Sequence, residues 1–425
     1  MKIKSINNWA ALLVVLAIVT GTACTTQKKS GEQADEPATE QTEVTQDELE
    51  ALAAALPQYK LVNSFHEGLA AVCNKEDLWG FIDKTGKEVI PCQYQYFPAE
   101  FNDGVAIACT NENRMFIIDH EGKTVAPFEY VYRGDGFYDG LITIVEVNAS
   151  EDDDIDWQHW GKAGFMDTKG KIVIPADTYD VMMGEGPIIN NFSDGLCRLN
   201  KDDKTVFIDK TGKVVITCNG DGALDFSDGL AAVWSYDDES GECLVGYIDK
   251  TGKQVIPQKF PTAGRFSEGL CWVNVGDKYG FIDKTGKWVI EGFYQTICLY
   301  EYTEAEEELC PRFSEGLAWV CDGDGKFGYI DKTGKTVVPF RYAPGFSEEG
   351  GWYEQQPCFD FKSGIARVWD EATNKYGFID KEGKEVFPCQ FDAAEDISEG
   401  LAVVRRGDYY GFIDTKGNCT LDLTK

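Results

Sequence analysis

From residue 57 onward, apolar and polar positions alternate in short runs that return at a nearly constant interval. Ser314-Glu315-Gly316-Leu317-Ala318-Trp319-Val320 shows the form: a Ser-Glu-Gly turn, then an alternating stretch. Phrases like it begin at Phe65, Phe101, Phe137, Phe192, Phe226, Phe266, Phe313, Phe361 and Ile397. After each glycine the second and fourth residues stay apolar and often small (Ala70/Val72, Cys271/Val273, Ala402/Val404), while the third runs from Ala71 to Trp272 to Arg367. That contrast predicts a half-buried strand, packed closely on one face and open on the other. A second phrase follows, aromatic-Gly-Phe/Tyr-Ile-Asp-Lys-Thr-Gly-Lys, as at Tyr279 to Lys287. Its Ile/Met-Asp-x-x-Gly centre recurs at Asp83, Asp119, Asp167, Asp209, Asp249, Asp283, Asp331, Asp380 and Asp414. Aspartate opening a turn and glycine three residues on suit a hairpin built on a type I turn closed by a left-handed glycine. A third strand comes next, as in Val89-Ile90-Pro91, and its proline marks a strand end or a sheet edge.

From Asp83 to Asp414 the eight intervals span 331 residues, a mean of about 41. A fixed period of this size means one repeat array, not the two or three domains that length alone suggests. The predicted fold is all-β: a tandem array of about nine three-stranded β-meander repeats, open or spiralling. A closed β-propeller-like ring is the alternative, because Pro57-Gln58-Tyr59 resembles the end of a third strand and Asn418 to Leu423 only the start of one. Nine units exceed the usual four to eight blades, and the spacing varies from 34 to 49 residues, which favours the open array.

The stretch Leu78-Trp79-Gly80-Phe81-Ile82-Asp83-Lys84-Thr85-Gly86-Lys87-Glu88-Val89-Ile90-Pro91 resembles the repeat of bacterial WG (KWG-type) repeat proteins. The resemblance runs from about Pro57 to Lys425. Only Trp79-Gly80 spells the motif literally; Tyr279, Phe327, Tyr376 and Tyr410 supply the aromatic elsewhere, and Phe116 and Val206 replace the glycine. It implies a β-repeat architecture in a protein often exported or lipid-anchored, with no common reaction or ligand.

The first residues carry an address. Lys2 and Lys4 precede the apolar run Trp9 to Val19, which is too short to span a bilayer as a helix. Residues 1–23 therefore read as a signal peptide, and Gly21-Thr22-Ala23-Cys24 resembles a lipoprotein signal in which Cys24 becomes the lipidated first residue. The expected location is a membrane-anchored lipoprotein of the bacterial envelope, periplasmic or surface-exposed, with plain secretion as the alternative. Residues 24–56 form a flexible, polar tether. Within it, Thr45-Gln46-Asp47-Glu48 reads as a capping box opening a short helix through Ala55, stopped by Pro57.

Charge and composition narrow the function. With 40 Lys+Arg against 72 Asp+Glu the net charge is −32, so no nucleic-acid partner is expected, and membrane contact is expected through the N-terminal lipid alone. The nine Asp-x-x-Gly turns offer one acid each where calcium needs six to eight oxygens, so turn chemistry accounts for them. No metal, cofactor or catalytic residue is nominated. An acidic insertion holding Asp152, Asp153, Asp154 and Asp156, with Trp157, His159 and Trp160 after it, is a candidate acidic patch; Glu304 to Glu308 is a similar excursion. His66 and His120 stand at turn positions that usually hold Ser and Lys. Thirteen cysteines remain beyond Cys24, several at strand positions filled elsewhere by Ala or Val, and they read as small buried thiols. Trp272, Trp319, Trp234 and Trp369 lie at variable positions of first strands and are the candidate ligand-contacting aromatics. Every recurring residue thus has a turn or packing role. The reading is a non-enzymatic scaffold for an envelope or extracellular protein, with a glycan- or peptidoglycan-binding module as the alternative and an uncharacterised hydrolase behind both.

Overall fold

The structure, a computed structural model, describes residues 44–110, 114–130, 136–147, 161–180, 182–183, 187–188, 191–236, 241–276, 278–292, 311–322, 324, 326–342 and 360–421. It opens on helix α1 (Gln46–Ala55), whose Thr45 and Glu48 form both halves of the anticipated capping box. Unit one follows: β1 (Tyr59–His66), β2 (Leu69–Asn74), β3 (Trp79–Asp83) and β4 (Glu88–Tyr94), one antiparallel sheet in chain order. Equivalents of β2 and β3 recur in all eight later units, and an equivalent of β4 in units two to eight. Short partners equivalent to β1, such as Gly222–Ala223 and Thr262–Ala263, add a fourth strand that the three-stranded reading omits. They are two residues long and precede the recurring phrase, so no periodicity reveals them.

Eight antiparallel sheets result, arranged as the blades of a β-propeller, with a two-stranded ribbon (Met182–Met183 with Pro187–Ile188) beside them. Units three and four share one six-stranded sheet, joined through Asp180 and Asn200, so nine repeat units occupy eight blades. The open array favoured from the sequence is replaced by a closed ring, because unit nine meets unit one through the same contacts that join other neighbours. Phe81 packs edge-on against Phe101 of the next unit at 4.9 Å, Phe207 against Phe226 at 4.8 Å and Tyr329 against Phe361 at 4.8 Å, and Phe412 meets Phe65 at 5.0 Å, tilted, across the closure. Ser227 Oγ donates to the Phe266 carbonyl of the following unit at 2.8 Å, and Ser398 Oγ to that of Phe65 at 2.5 Å.

The charged turn residues make a second circular series. In each Ser-Glu/Asp-Gly turn the acid and the glycine both have positive φ, as at Glu67 (50°) and Gly68 (81°), which gives the type I′ geometry that joins twisted strands. A glutamate is strained there, and its carboxylate bridges to the next unit. Glu268 accepts from Gly316 N–H at 3.0 Å and from Lys332 Nζ at 3.1 Å; Glu399 accepts from Gly68 N–H at 3.1 Å and from Lys84 Nζ at 3.1 Å. The turn acid of one unit and the Asp-Lys-Thr-Gly lysine of the next are therefore two halves of a clamp on a single face of the ring. In unit two His120 takes the lysine's place, 3.0 Å from Glu67 and stacked on Phe101. Each lysine–carboxylate pair of this kind is worth about 0.2–1 kcal/mol at these exposures.

The Asp-x-x-Gly aspartates turn inward on their own hairpins. Asp283 Oδ1 accepts from Thr285 N, Thr285 Oγ1 and Lys287 N, at 2.8, 2.6 and 3.1 Å. The threonine hydroxyl, with these amides, holds the carboxyls of Asp209, Asp249, Asp283 and Asp331 below the ordinary aspartate range. A depressed folded pKa stabilises the fold above the unfolded value and loses that contribution as pH falls through the folded one. The melting temperature should therefore hold down to about pH 4 and drop below it. Thermal melts by circular dichroism from pH 7 to pH 2.5 test this; a ring whose stability instead rose on acidification below pH 4 would contradict it.

Two more features explain the motif. The glycine of Trp-Gly lies under a fold in the β4-type strand: a Cβ on Gly80 would stand 2.5 Å from the Ile90 carbonyl oxygen and 2.7 Å from Cys92 N. Pro91 sits at that fold, where the β3–β4 register slips, on the outer edge of the sheet as its sequence position suggested. Where Phe116 and Val206 replace the glycine, the outer strands are shorter (Thr124–Phe128, Val214–Thr217) and each ladder slips once. The second feature is α1. Each turn glycine from unit two to unit eight rests on an outer-strand residue of the preceding unit, as Gly122 on Ile90 and Gly286 on Ile256. Unit nine has no such strand among the described residues, only an Ile413–Cys419 bridge. Ala51 and Ala55 of α1 fill the position under Gly86 instead, and Leu49, Leu52 and Leu56 enter a core shared with Val62, Phe65, Leu401, Val403 and Phe412. A helix thus stands in for the missing outer strand.

Candidate functional site: the axial mouth

The residues just before each repeat phenylalanine vary from unit to unit, and the fold gathers them at its centre. Glu395 of unit nine feels the charge of Glu100 in unit two, across unit one, and Asp396 feels Arg312 in unit seven, across unit eight. Such reach across a whole intervening unit occurs only where blades converge, so these side chains mark the axial mouth on the turn face.

One arc of the mouth is built from arginine–aspartate pairs between units. Arg198, 2 % exposed, donates from Nε to Asp225 at 3.1 Å and from Nη1 to the Ala223 carbonyl at 2.7 Å, while Arg265 reaches the other Asp225 oxygen at 3.5 Å. Burial acts to raise the Asp225 carboxyl, but the two guanidiniums win and hold it low. Arg312 pairs with Asp360 of unit eight. Lys362 donates to Asp396 Oδ2 at 2.9 Å, and Arg367 Nε lies 3.2 Å from Asp396 Oδ1. Burial again opposes Arg367 and Lys362 at Asp396, and the carboxyl stays lowered.

The other arc is acidic. Glu395 accepts from Ser64 Oγ of unit one, and His66 Nε2 lies 3.1 Å from Glu100. Burial pushes the Glu395 carboxyl up, Glu100 adds to the rise, and Ser64, Arg367 and His66 only partly offset it. Burial lowers His66, but Glu100, Glu399 and Glu395 outweigh it and leave the imidazole raised. His66 is thus part of the mouth, and not the ordinary surface substitution its turn position suggests.

The tryptophans nominated from the sequence are elsewhere. Trp272 is 1 % exposed and stacks on Tyr279, Trp319 is 5 % and Trp369 4 % exposed, and Trp234 is half-buried over Gly222. They are not displayed, and the half-buried strand expected from their alternation is corrected: Leu69 to Cys73 and Leu317 to Cys321 are buried at every residue. The reason is the propeller itself, which covers both faces of a strand with neighbouring blades; small residues face one neighbour and variable ones the other. Cys24, the acidic patch Asp152, Asp153, Asp154 and Asp156, and Glu304 to Glu308 lie outside the described residues. Two shallow clefts are present: one of about 430 Å³ between α1 and residues 417–421, one of about 410 Å³ between the turns of units eight and nine.

The cysteines behave as packing residues. Burial pushes the Cys92 and Cys389 thiols up to about 12, and Cys218 and Cys321 up to about 11. At pH 8 the first two should hold about a thousandfold less thiolate than an ordinary thiol. A colorimetric thiol assay should find them slow in the native protein and fast after denaturation; rapid native labelling of Cys92 or Cys389 would refute this.

Arginine placement was the signal available in the sequence. The chain has nine arginines, and Arg265 and Arg312 directly precede repeat phenylalanines while Arg198 and Arg367 hold the variable third strand position. Arginine suits buried, planar pairing with carboxylates better than lysine does. A scarce residue gathered at two positions of a repeat points to one place in space.

Comparison with known proteins agrees with this architecture. The family model of the WG containing repeat matches residues 79–113, 164–204, 207–233, 246–279, 279–297, 327–343 and 376–410. The chain carries WG repeats. The glycines Gly80, Gly164, Gly246, Gly328 and Gly377 each lie under a folded outer strand whose ladder slips twice. Among solved structures, one titled as the crystal structure of the eukaryotic initiation factor matches with a TM-score of 0.54 at 11% identity, over 83% of this chain and 95% of that one. The computationally designed Ika8 protein matches with a TM-score of 0.39 at 12% identity, over 77% and 95%. The first likeness supports the WG-repeat chain's fold and nothing more. No curated protein matches.

Proposed function

We propose that this WG-repeat chain is a non-enzymatic interaction scaffold of the cell envelope, exported and held at the membrane by a lipid on Cys24, that presents its axial mouth to a protein partner. One observation carries the reading. The recurring polar side chains are spent on closing hairpins and on joining units, whereas Glu100, Arg265, Arg312, Asp360, Glu395 and Asp396, which do not recur, gather at one mouth of a closed ring. A repeat protein keeps its scaffold in what recurs and its specificity in what does not. Affinity enrichment from cross-linked envelope extracts should recover one protein saturably over an unrelated propeller of similar net charge. Repeated recovery of nothing above that control would sink the proposal.

A further inference from the structure

We infer that the turn face of the ring lies against an anionic lipid surface, where one exposed lysine from each of units one to eight meets the phosphate headgroups. The inference rests on the lipid-anchor part of the scaffold reading and adds how the ring stands on its membrane. Spread evenly, a net charge of −32 would hold the ring away from such a surface. It is not spread evenly. The eighteen Asp-x-x-Gly-x and x-Glu/Asp-Gly turns, all on this face, carry seventeen lysines against nineteen acids, a balance of −2. Most hairpins hold two lysines with different fates. The first is taken by the clamp, as Lys210 by Asp139, Lys284 by Asp228 and Lys381 by Glu315. The second is Lys87 and its equivalents in units two to eight, from Lys123 to Lys384. It is exposed in every copy and, among the described residues, has no carboxylate within 4 Å. Lys253 and Lys335 feel their own hairpin aspartates without pairing with them. Equivalent positions of a closed ring lie on one circle about its axis, so a flat surface meets all eight together.

Two further observations point the same way. Two residues beyond the lysine, the outer strands of units two to six expose Val125, Val173, Val215, Val255 and Val289, an apolar flank of the kind that enters a headgroup region. The gap in the circle is where the anchor enters. In unit nine Asn418 replaces the lysine and folds back on Asp414 at 2.8 Å. Val44, the first described residue, rests on the turn glycine Gly400 of that same unit, 3.4 Å from its Cβ position. The chain toward Cys24 therefore departs from the turn face, and a polar linker of the nineteen intervening residues spans about 25 Å. The axial mouth opens on this face too, so the protein it meets is one embedded in the same membrane.

The test holds the full mature chain, residues 24–425, on vesicles through an N-terminal hexahistidine tag and a nickel-chelating lipid, so that it does not depend on natural lipidation. Amine acetylation followed by peptide mass spectrometry reads each lysine. Lys87, Lys171, Lys253 and Lys335 should react about threefold more slowly on vesicles with about 30% phosphatidylglycerol than on phosphatidylcholine alone. Lys75 and Lys204, exposed at the other end of the β2- and β3-type strands, should react equally on both. Salt at about 0.5 M should abolish the difference. Lys87→Gln/Lys171→Gln/Lys253→Gln/Lys335→Gln should cancel the protection of Lys213 and Lys287, and Lys75→Gln/Lys204→Gln should leave it intact. Equal rates on both kinds of vesicle, or protection that extends to Lys75 and Lys204, would overturn the proposal. Equal protection of the ring by soluble polygalacturonate without vesicles would overturn it too, by assigning the lysines to a glycan. The mass of the N-terminal peptide from cells tests the lipid on Cys24 separately: an unmodified cysteine removes the anchor reading, while the vesicles still decide the lysine face.

Discussion

Removing residues 44–56 should open the propeller between units nine and one and lower its melting temperature more than loss of any other segment of that length. The deletion takes Leu49, Leu52 and Leu56, all at least 95% buried, out of the core they share with both ends of the ring. At about 1.5–3 kcal/mol for each buried leucine, the loss is on the order of 5–8 kcal/mol. It also bares the outer edge of unit nine and the floor beneath Gly86. Hydrogen exchange should therefore quicken in residues 59–74 and 401–414 and stay slow in units four to six. Leu52→Asp, with Leu52 at 0% exposure, should do much the same by placing a charge in that core. Uniform loss of protection around the ring, or none, would show that α1 is not the closing piece.

Gly246→Ala should be a strongly damaging single-methyl change. The new Cβ would lie 2.6 Å from Gln258 N and from the Ile256 carbonyl oxygen, both backbone atoms that cannot turn aside. The outer strand must lift off, at a cost of about 3 kcal/mol. Gly269→Ala is the matched comparison: nothing lies within 4 Å of its added Cβ, and only its φ of +87° opposes the change. Its cost should be about 1–2 kcal/mol. Urea unfolding of the two variants measures the difference, and a Gly246→Ala protein as stable as Gly269→Ala would overturn this account of the WG glycine.

The local chemistry of the chain was legible and its closure was not. The Asp-x-x-Gly hairpins and the Thr45 capping box are written in adjacent residues, so spacing alone finds them. Among the described residues α1 takes the place that an outer strand takes beside other units, next to residues 417–421 more than 360 positions along the chain, which no local pattern records. The tryptophans misled because alternation was taken to mean one wet face, whereas in a propeller both faces are covered and alternation separates two dry neighbours. The axial residues were missed because repeats draw attention to what recurs. Arg312 and Asp360 hold equivalent positions with opposite charge, so an average over the units erases both.

The clamp series has one joint where both halves are absent. Between units eight and nine, Ser363 stands where other turns carry an acid and Thr415 where a lysine would reach for it, and Ile397 replaces the phenylalanine. The 410 Å³ cleft lies between these same turns, while Arg367 and Lys362 fasten the joint at the axis through Asp396. The ring is therefore stitched on its turn face at the place where its two chain ends meet, and unstitched one unit before it. Any breathing of the circle should be concentrated there, as rotation of units eight and nine about an axial pin beside Asp360 and Glu395.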